Sequence, residues 1–283
     1  MQRIYFNVWN QIKQSLYPFM KLHAVHPLHY TFQDYFDYEV KKRNILVMPY
    51  YIRVDVAGFN INDDVLTIAY QEKDPVARQN FTKCHELAHI LLNHNGRVFT
   101  DFHDNSLQER EANFCSAFIL MPNIVLLTKL FYQKKTFQEV EKELQVSSQA
   151  LKTRLVDFLD FELNLNRLSA YRIVEDYITR SNQHILNYFE QVKDFIISDF
   201  NDFEPTLIDK LSKLLQEKDF VSDIDFPSLA DETFIKQVQQ VFPNVKRWAI
   251  YDRGKTIFYI WNSEQLTELE AKRRANVLLI TKK

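Results

Sequence analysis

Two histidines and a glutamate in one short stretch have the types and spacing of a metal-dependent hydrolase site. The stretch is His85-Glu86-Leu87-Ala88-His89. On a helix, His85 and His89 lie on one face, one turn apart, where both imidazoles can bind the same ion. Glu86 is rotated by about 100° from His85 on such a helix, which places its carboxylate beside a water on that ion. The spacing therefore predicts a metal site with a carboxylate that can act as a base.

The residues around this stretch predict that it is helical. Asp74 and Pro75 supply an N-cap and a first-turn proline, and Asn95 with Gly96 supplies a C-terminal stop. Apolar residues recur between these two ends. We therefore expect a helix of about 20 residues, with both histidines in its last two turns.

A third ligand is expected from the next predicted helix, and Glu109 is the candidate. Glu109, Asn113 and Ser116 form a polar line on a helix otherwise rich in apolar residues. Ser106 offers another explanation, since a serine three residues before a glutamate is also a capping box that needs no metal. Glu111 is the alternative ligand, and Asn113 is placed one turn beyond Glu109 to hold a ligand side chain.

Zinc is the ion that this donor set favours. Two neutral imidazoles and one carboxylate match its tetrahedral preference and leave a fourth position for a water, whose pKa zinc lowers toward neutrality. An alternative is a non-catalytic zinc-binding regulatory protein that acts through protein or DNA binding. The presence of Glu86 favours a zinc enzyme over this alternative, because a structural zinc site usually has four protein ligands and needs no such carboxylate. A third hypothesis, a helix-turn-helix transcription factor with a vestigial zinc site, is not favoured by the charge balance.

Two segments of the chain resemble the ImmA/IrrE family of metallo-endopeptidases. They are the run from Arg78 to His89 and the pattern Glu109-x-x-Ala112-Asn113-x-x-x-Ala117-x-x-Leu120-Met121-Pro122. The resemblance covers roughly residues 35 to 160, and Cys84 and Ala88 stand where the family often has Ala and Gly.

The resemblance implies a site and an activity. Zinc would be bound by His85, His89 and Glu109, with Glu86 as the general base. The protein would be a cytoplasmic regulatory endopeptidase whose protein substrate is a helix-turn-helix repressor or another regulator, which it cleaves or inactivates.

The composition is that of a folded, helix-rich protein. Of 283 residues, 46% are hydrophobic and only 3 are glycine, which allows a substantial core and is typical of long helices rather than an all-β fold. The net charge of −2 gives no general attraction to nucleic acid or to an anionic membrane. The first residues contain no continuous hydrophobic run, so we expect neither a signal peptide nor a membrane span. The two cysteines, Cys84 and Cys115, fall in predicted helices and favour a reducing cytoplasm over a disulfide.

Three further histidines occur near the N-terminus at three-residue steps, namely His23, His26 and His29. This spacing suggests a second metal site. Pro27 interrupts any helix that would align the three rings, so we interpret the segment as a partly exposed loop.

The elements before the metal motif are predicted from periodicity. Residues 1–20 have an amphipathic pattern that Pro18 should break, and residues 35–42 predict a short helix. Three short strands should form a small sheet, with one edge free to pair with an extended substrate. They are predicted over residues 44–50, ending at Pro49, 54–57 and 65–70, with Gly58 in a turn.

Residues 136–158 match a helix-turn-helix pattern with a tight link at Gln145-Val146-Ser147, and Ser147 or Ser148 as the cap of its second helix. The pair carries little positive charge, with only Lys152 and Arg154 on the second helix. We therefore favour a structural helical pair, and DNA contact is not favoured.

The remaining chain predicts an accessory region. Helical spacing recurs over 185–196, 207–215 and 234–242, an acidic loop covers 219–231, and a hairpin joins 248–251 to 256–261. The expected fold class is α+β: a mostly helical, zincin-like core with a small three-stranded sheet, a helix-turn-helix-like segment and a C-terminal α/β region. The predicted domains are residues 1–34, 35–125, 126–180 and 181–283.

Overall fold

The chain divides into two compact units, Met1–Glu204 and Pro205–Lys283. The structure, a computed structural model, describes residues 1–51, 58–62, 66–94, 106–179 and 183–281. Both units combine helices with a three-stranded sheet, so the predicted α+β class is confirmed.

Unit 1 is mostly helical. Its elements are α1 (Gln2–Leu22), α2 (Phe32–Arg43), β1 (Leu46–Tyr50), β2 (Gly58–Asn62), β3 (Leu66–Gln71), α3 (Val76–Leu91), α4 (Leu107–Leu120), α5 (Asn123–Leu126), α6 (Phe137–Leu144), α7 (Ser148–Phe161), α8 (Arg167–Thr179) and α9 (Gln183–Asp202). A 3-10 turn covers Pro27–His29, and a π-helical segment covers Leu127–Tyr132.

Helix α1 continues through Pro18, so the predicted break there is wrong. Its buried stripe includes Tyr5, Ile12 and Leu16, and the helix packs against α4. A proline inside a helix costs about 3 kcal/mol or more. Burial of this stripe outweighs that cost, since each fully buried large apolar side chain contributes roughly 1.5–3 kcal/mol.

The sheet of unit 1 has the strand order β1-β3-β2, with β3 parallel to β1 and antiparallel to β2. Pro49 lies inside β1 and does not end it, which an edge strand tolerates because one side of its backbone needs no partner. Gly58, predicted in a turn, is the first residue of β2. The strand expected at 54–57 lies outside the described residues. Helix α3 packs on β3 and β2.

Helix α3 carries the metal motif and spans 16 residues rather than about 20. Its N-cap residue is Pro75, not Asp74 as predicted, and no side chain caps it. Asp74 instead forms an ion pair with Arg78 at 3.2 Å, four residues later. The predicted stop at Asn95-Gly96 lies outside the described residues.

Helices α6 and α7 form the predicted helical pair. Gln145 turns the chain with a left-handed backbone, and the Ser147 side chain accepts a hydrogen bond from the Ala150 N–H at 3.1 Å, so Ser147 is the cap. Arg154 on α7 is 1% exposed. Its guanidinium donates to the Met121 carbonyl at 3.2 Å and to the Tyr5 hydroxyl at 3.1 Å. Arg154, one of the two cations on this helix, therefore forms its hydrogen bonds inside the core.

The predicted domain boundary at residue 181 differs from the boundary of the structure at 204/205. Helix α9 belongs to unit 1, because Ile185, Phe189 and Ile196 are buried in its core. The Phe189 ring stacks on that of Phe158 at 4.9 Å between centroids. Residues 1–34 also pack into this core, so they do not form a separate domain.

Unit 2 has an antiparallel sheet in the order β4-β6-β5, covered by helices on both faces. The predicted hairpin is confirmed: Arg253 and Gly254 have φ values of 49° and 79°, as a two-residue hairpin turn of the primed type requires. The predicted acidic loop contains a short strand instead, β4. The elements are α10 (Leu207–Glu217), β4 (Phe220–Ser222), α11 (Glu232–Val241), β5 (Val245–Asp252), β6 (Lys255–Asn262) and α12 (Glu268–Thr281), with a 3-10 turn at Pro227–Ala230.

Among the described residues, no single helix has the length and apolar character needed to cross a membrane. Leu107–Leu120 and Asn123–Tyr132 pass such a test only as a pair, across a bend of 42°.

Candidate metal centre

The structure brings the three predicted ligands together. The Nε2 atoms of His85 and His89 lie 3.1 Å apart. The carboxylate of Glu109 reaches both, with Oε2 at 3.1 Å from His85 Nε2 and Oε1 at 3.3 Å from His89 Nε2. All candidate ligand atoms lie within 4.8 Å of one another. The close packing of α3 against α4 produces this convergence.

The donor set fits a metal ion. His85, His89 and Glu109 are 1%, 0% and 5% exposed. Burial lowers the pKa of His89 to about 2, with a further contribution from the neighbouring His85 and His94. A ligand imidazole must be neutral, and this one is neutral at physiological pH. Two neutral imidazoles that face each other can share only one hydrogen bond. A metal cation could instead be bound by a lone pair of each imidazole and by the carboxylate.

Of the predicted capping box, the structure gives only the serine cap. The backbone N–H of Glu109 donates to the Ser106 hydroxyl at 3.3 Å, so Ser106 caps α4. Its carboxylate points to the histidines. The cap fixes the start of the helix, and the side chain remains available to the metal centre.

The alternative ligand, Glu111, lies outside the three-residue cluster and contacts His94. Glu111 Oε2 is 3.1 Å from His94 Nε2, and His94 Nδ1 is 2.8 Å from His89 Nδ1. His94 is 7% exposed and follows the end of α3. We did not single out His94 from the sequence. The available signal was a histidine five residues after the second motif histidine, just beyond the helix.

Asn113 does not lie where we expected. It is exposed and lines a cavity, and the neighbouring Ser116 hydroxyl donates to the Asn113 carbonyl at 3.0 Å within the same helix. The polar line that we predicted on α4 therefore serves the metal centre only through Glu109, among the contacts that the structure gives.

Glu86 is 1% exposed and lies next to the cluster in sequence, on the same helix. Burial raises the pKa of Tyr50, and the negative charges of Asp74 and Glu86 raise it further. Tyr50, at the end of β1, therefore lies near the Glu86 carboxylate. Nothing in the sequence distinguished Tyr50 from its neighbour Tyr51.

By residue type, Tyr51, Arg110 and His103 could each stabilise an oxyanion, and the contacts that the structure gives for the first two lie elsewhere. Tyr51 is 61% exposed, and the pKa of its hydroxyl is raised mainly by a hydrogen bond with Glu72. The Arg110 guanidinium lies 4.0 Å from the Met1 sulfur. His103 lies outside the described residues.

Cys84 and Cys115 are free and buried, and burial raises the pKa of each thiol well above its usual value. Neither is a reactive thiolate.

The N-terminal histidines form no metal cluster. Within the described ranges, the only group of three or more His, Cys, Asp or Glu residues placed to hold an ion is the one on α3 and α4. His26 Nδ1 accepts a hydrogen bond from the Leu28 N–H at 3.1 Å, and the His23 ring packs on Phe19 at 4.8 Å. His26 and His29 are exposed, in agreement with the loop interpretation.

A cavity of about 530 Å³ begins one helical turn from the metal cluster. Phe81, one turn before His85, lies at this boundary, and the two rings are 5.8 Å apart. Helices α3 and α4 provide two walls, and α7 provides the third.

Comparison with known families gives one match. Residues 40–156 match the Peptidase_M78 family model, described as the IrrE N-terminal-like domain. The match contains all of α3, α4 and α6 and most of α7. Comparisons with curated proteins and with solved structures give no match.

Proposed function

Because residues 40–156 belong to the ImmA/IrrE family, we propose that this protein is a zinc-dependent endopeptidase that cleaves or inactivates a regulatory protein, such as a helix-turn-helix repressor. The observation that carries the proposal is the buried convergence of His85, His89 and Glu109, with Glu86 following the first of them on the same helix.

Each residue has a distinct role in this proposal. His85 and His89 would hold zinc through their Nε2 atoms and Glu109 through its carboxylate, the donor set of many catalytic zinc sites. Bound zinc would supply a Lewis acid for the scissile carbonyl and lower the pKa of a water in the site. Glu86 would take a proton from a water in the site and pass it to the leaving amine.

One further observation argues against a DNA reader. Arg154 is buried in the core of unit 1, so the second helix of the α6–α7 pair has lost one of its two cations for phosphate contact.

The free, buried state of both cysteines agrees with a reducing compartment, for which we propose the cytoplasm.

The Glu86→Gln substitution tests the proposal. If an adjacent reading frame encodes a helix-turn-helix repressor, that repressor is purified and mixed with the zinc-loaded protein, and the products are identified by mass spectrometry. We expect discrete fragments. Glu86→Gln should retain zinc and substrate binding but slow cleavage by a factor on the order of 10² to 10⁴, because it removes proton transfer.

Two results would count against the proposal. One is a repressor that stays intact at equimolar enzyme and excess zinc. The other is a Glu86→Gln variant that behaves like the unmodified protein while His85→Ala fails. The second result would show that zinc stabilises a non-catalytic regulatory protein.

A further inference from the structure

The cavity beside the metal cluster has the lining of an apolar side-chain pocket. Phe81, Phe114, Ala117, Met121 and Ala150 contribute to it. Its volume of about 530 Å³ falls within the range of roughly 300–1,000 Å³ that is usual for small-ligand pockets. The two alanines, on α4 and α7, leave space where larger side chains would fill it.

The charged groups of the cavity do not favour a charged occupant. Asp157 is 8% exposed and is already paired with Arg167 at 2.9 Å. Arg154 is committed to the Tyr5 hydroxyl and the Met121 carbonyl. Arg78 is exposed at the rim. A lysine or arginine side chain would find an anion whose charge is compensated, and an acidic one would find no buried cation without a partner.

We propose that this cavity binds a large apolar side chain of the peptide substrate next to the scissile bond, an inference that rests on the proposed zinc peptidase. Phe81 lines the cavity and its ring centroid lies 5.8 Å from that of His85, so a peptide whose carbonyl is at the metal centre can place a neighbouring side chain in the cavity. The pocket thus selects leucine-like or aromatic residues over glycine or charged residues at that position.

The size of the selection follows from burial. One methylene in an apolar pocket is worth about 1–3 kcal/mol, or 10- to 200-fold in discrimination. We therefore expect benzyl and isobutyl side chains to improve binding at least 10-fold over none.

A series of small hydroxamates tests the pocket without requiring cleavage. Each compound joins the same zinc-chelating group to one side chain: none, isobutyl, benzyl, aminobutyl or carboxymethyl. Dissociation constants are measured by calorimetry on the zinc-loaded protein. We expect the benzyl and isobutyl compounds to bind at least 10-fold more tightly than the parent, and the charged compounds to gain nothing.

Ala150→Phe, which fills the cavity, should reduce the benzyl-to-parent ratio toward one. Leu168→Phe is the matched control, since Leu168 is 62% exposed on α8 and does not line the cavity, and it should leave the ratio unchanged. Equal affinity for all side chains, or a preference for aminobutyl, would overturn the pocket assignment. Failure of the parent hydroxamate to bind would instead show that the metal centre itself is wrong.

A second inference concerns the contacts of His89 and is independent of the cavity. If His89 binds a metal through Nε2, its Nδ1 must carry the proton, because a neutral imidazole has only one N–H. That proton points to His94 Nδ1 at 2.8 Å, which must then be the acceptor. His94 therefore carries its own proton on Nε2 and donates it to Glu111 at 3.1 Å. The chain of contacts permits one arrangement of protons.

We infer that His94 and Glu111 are positioning residues that fix the ring orientation and tautomer of His89. Outer partners of this kind typically contribute 10- to 100-fold to metal affinity. His94→Ala and Glu111→Ala should therefore weaken zinc binding about 10- to 100-fold in chelator competition. His94→Asn keeps an acceptor near the His89 Nδ1–H and should recover part of the affinity.

The visible spectrum of the cobalt(II)-substituted protein separates positioning from general destabilisation. His94→Ala should change the ligand-field bands, while a folded protein with native far-ultraviolet circular dichroism remains. Glu111, with 27% side-chain exposure, gives a second variant if His94→Ala fails to fold. Native zinc affinity and an unchanged cobalt spectrum in either folded alanine variant would overturn the inference.

Discussion

Two groups of three closely spaced histidines occur in unit 1, and only one of them builds a site. The core histidines are His85, His89 and His94, and the N-terminal histidines are His23, His26 and His29. The core group lies on and just after one buried helix, and a second helix brings a carboxylate to it. In the N-terminal group, Pro27 starts a 3-10 turn and His26 caps it. Closely spaced histidines thus indicate a metal centre only where the scaffold aligns and buries the rings.

The largest effect expected from this contrast is the loss of the metal. His85→Ala removes one of three ligands, so it should abolish zinc binding and any peptidase activity together. It should also lower the melting temperature of the zinc-loaded protein, because metal affinity is linked to folding. Elemental analysis, with one zinc per chain expected for the native protein, provides the measurement. A His85→Ala variant that still binds one zinc per chain would show that the core histidines do not form the metal centre.

A smaller effect is expected from acid. The pKa of His89 is lowered to about 2 in the folded protein, against about 6.5 for a free histidine. Between these two values the unfolded chain binds more protons, so stability is lost as the pH falls below about 6.5, by up to about 1.4 kcal/mol per pH unit. Thermal unfolding of the metal-free protein from pH 7 to pH 5 measures the slope. A His89→Gln variant should flatten it, and a native protein with no slope would contradict the burial of a neutral ring.

The smallest effect is expected from the N-terminal group. His26→Ala removes a single hydrogen bond to an exposed turn, which is worth about 0.5 kcal/mol. Zinc stoichiometry should stay at one and the acid slope should not change. A second metal that disappears with His26→Ala would show that the N-terminal histidines also bind an ion.

The sequence was sufficient for features set by local spacing. The i, i+4 pair His85 and His89, the cap at Ser147 and the turn at Arg253-Gly254 depend on residues close in the chain. Local signals failed where tertiary packing decides. Pro18 should end a helix, but the buried face of α1 carries the helix past it.

The contacts of the metal centre were the least predictable part. His94 reaches His89 because the chain turns back after α3, and Glu111 reaches His94 from α4. Neither contact has a fixed spacing in sequence. The division of the chain at 204/205 was hidden for a similar reason, since tertiary contacts such as the packing of Phe189 on Phe158 show where α9 belongs.

The buried hydrogen bonds of Arg154 bear on how this domain can be inherited. Arg154 donates to Tyr5 and Asn123, and both of these donate to Glu162. The family match at 40–156 includes Arg154 and Asn123 but excludes Tyr5 and Glu162. A gene rearrangement that transferred only the matched segment would keep the bonds from Arg154 to Met121 and Asn123 but lose the Tyr5 hydroxyl, and it would also remove Glu162, the carboxylate that accepts from Asn123. The segment that contains the proposed catalytic residues is therefore shorter than the segment that must be inherited with it to keep these hydrogen bonds.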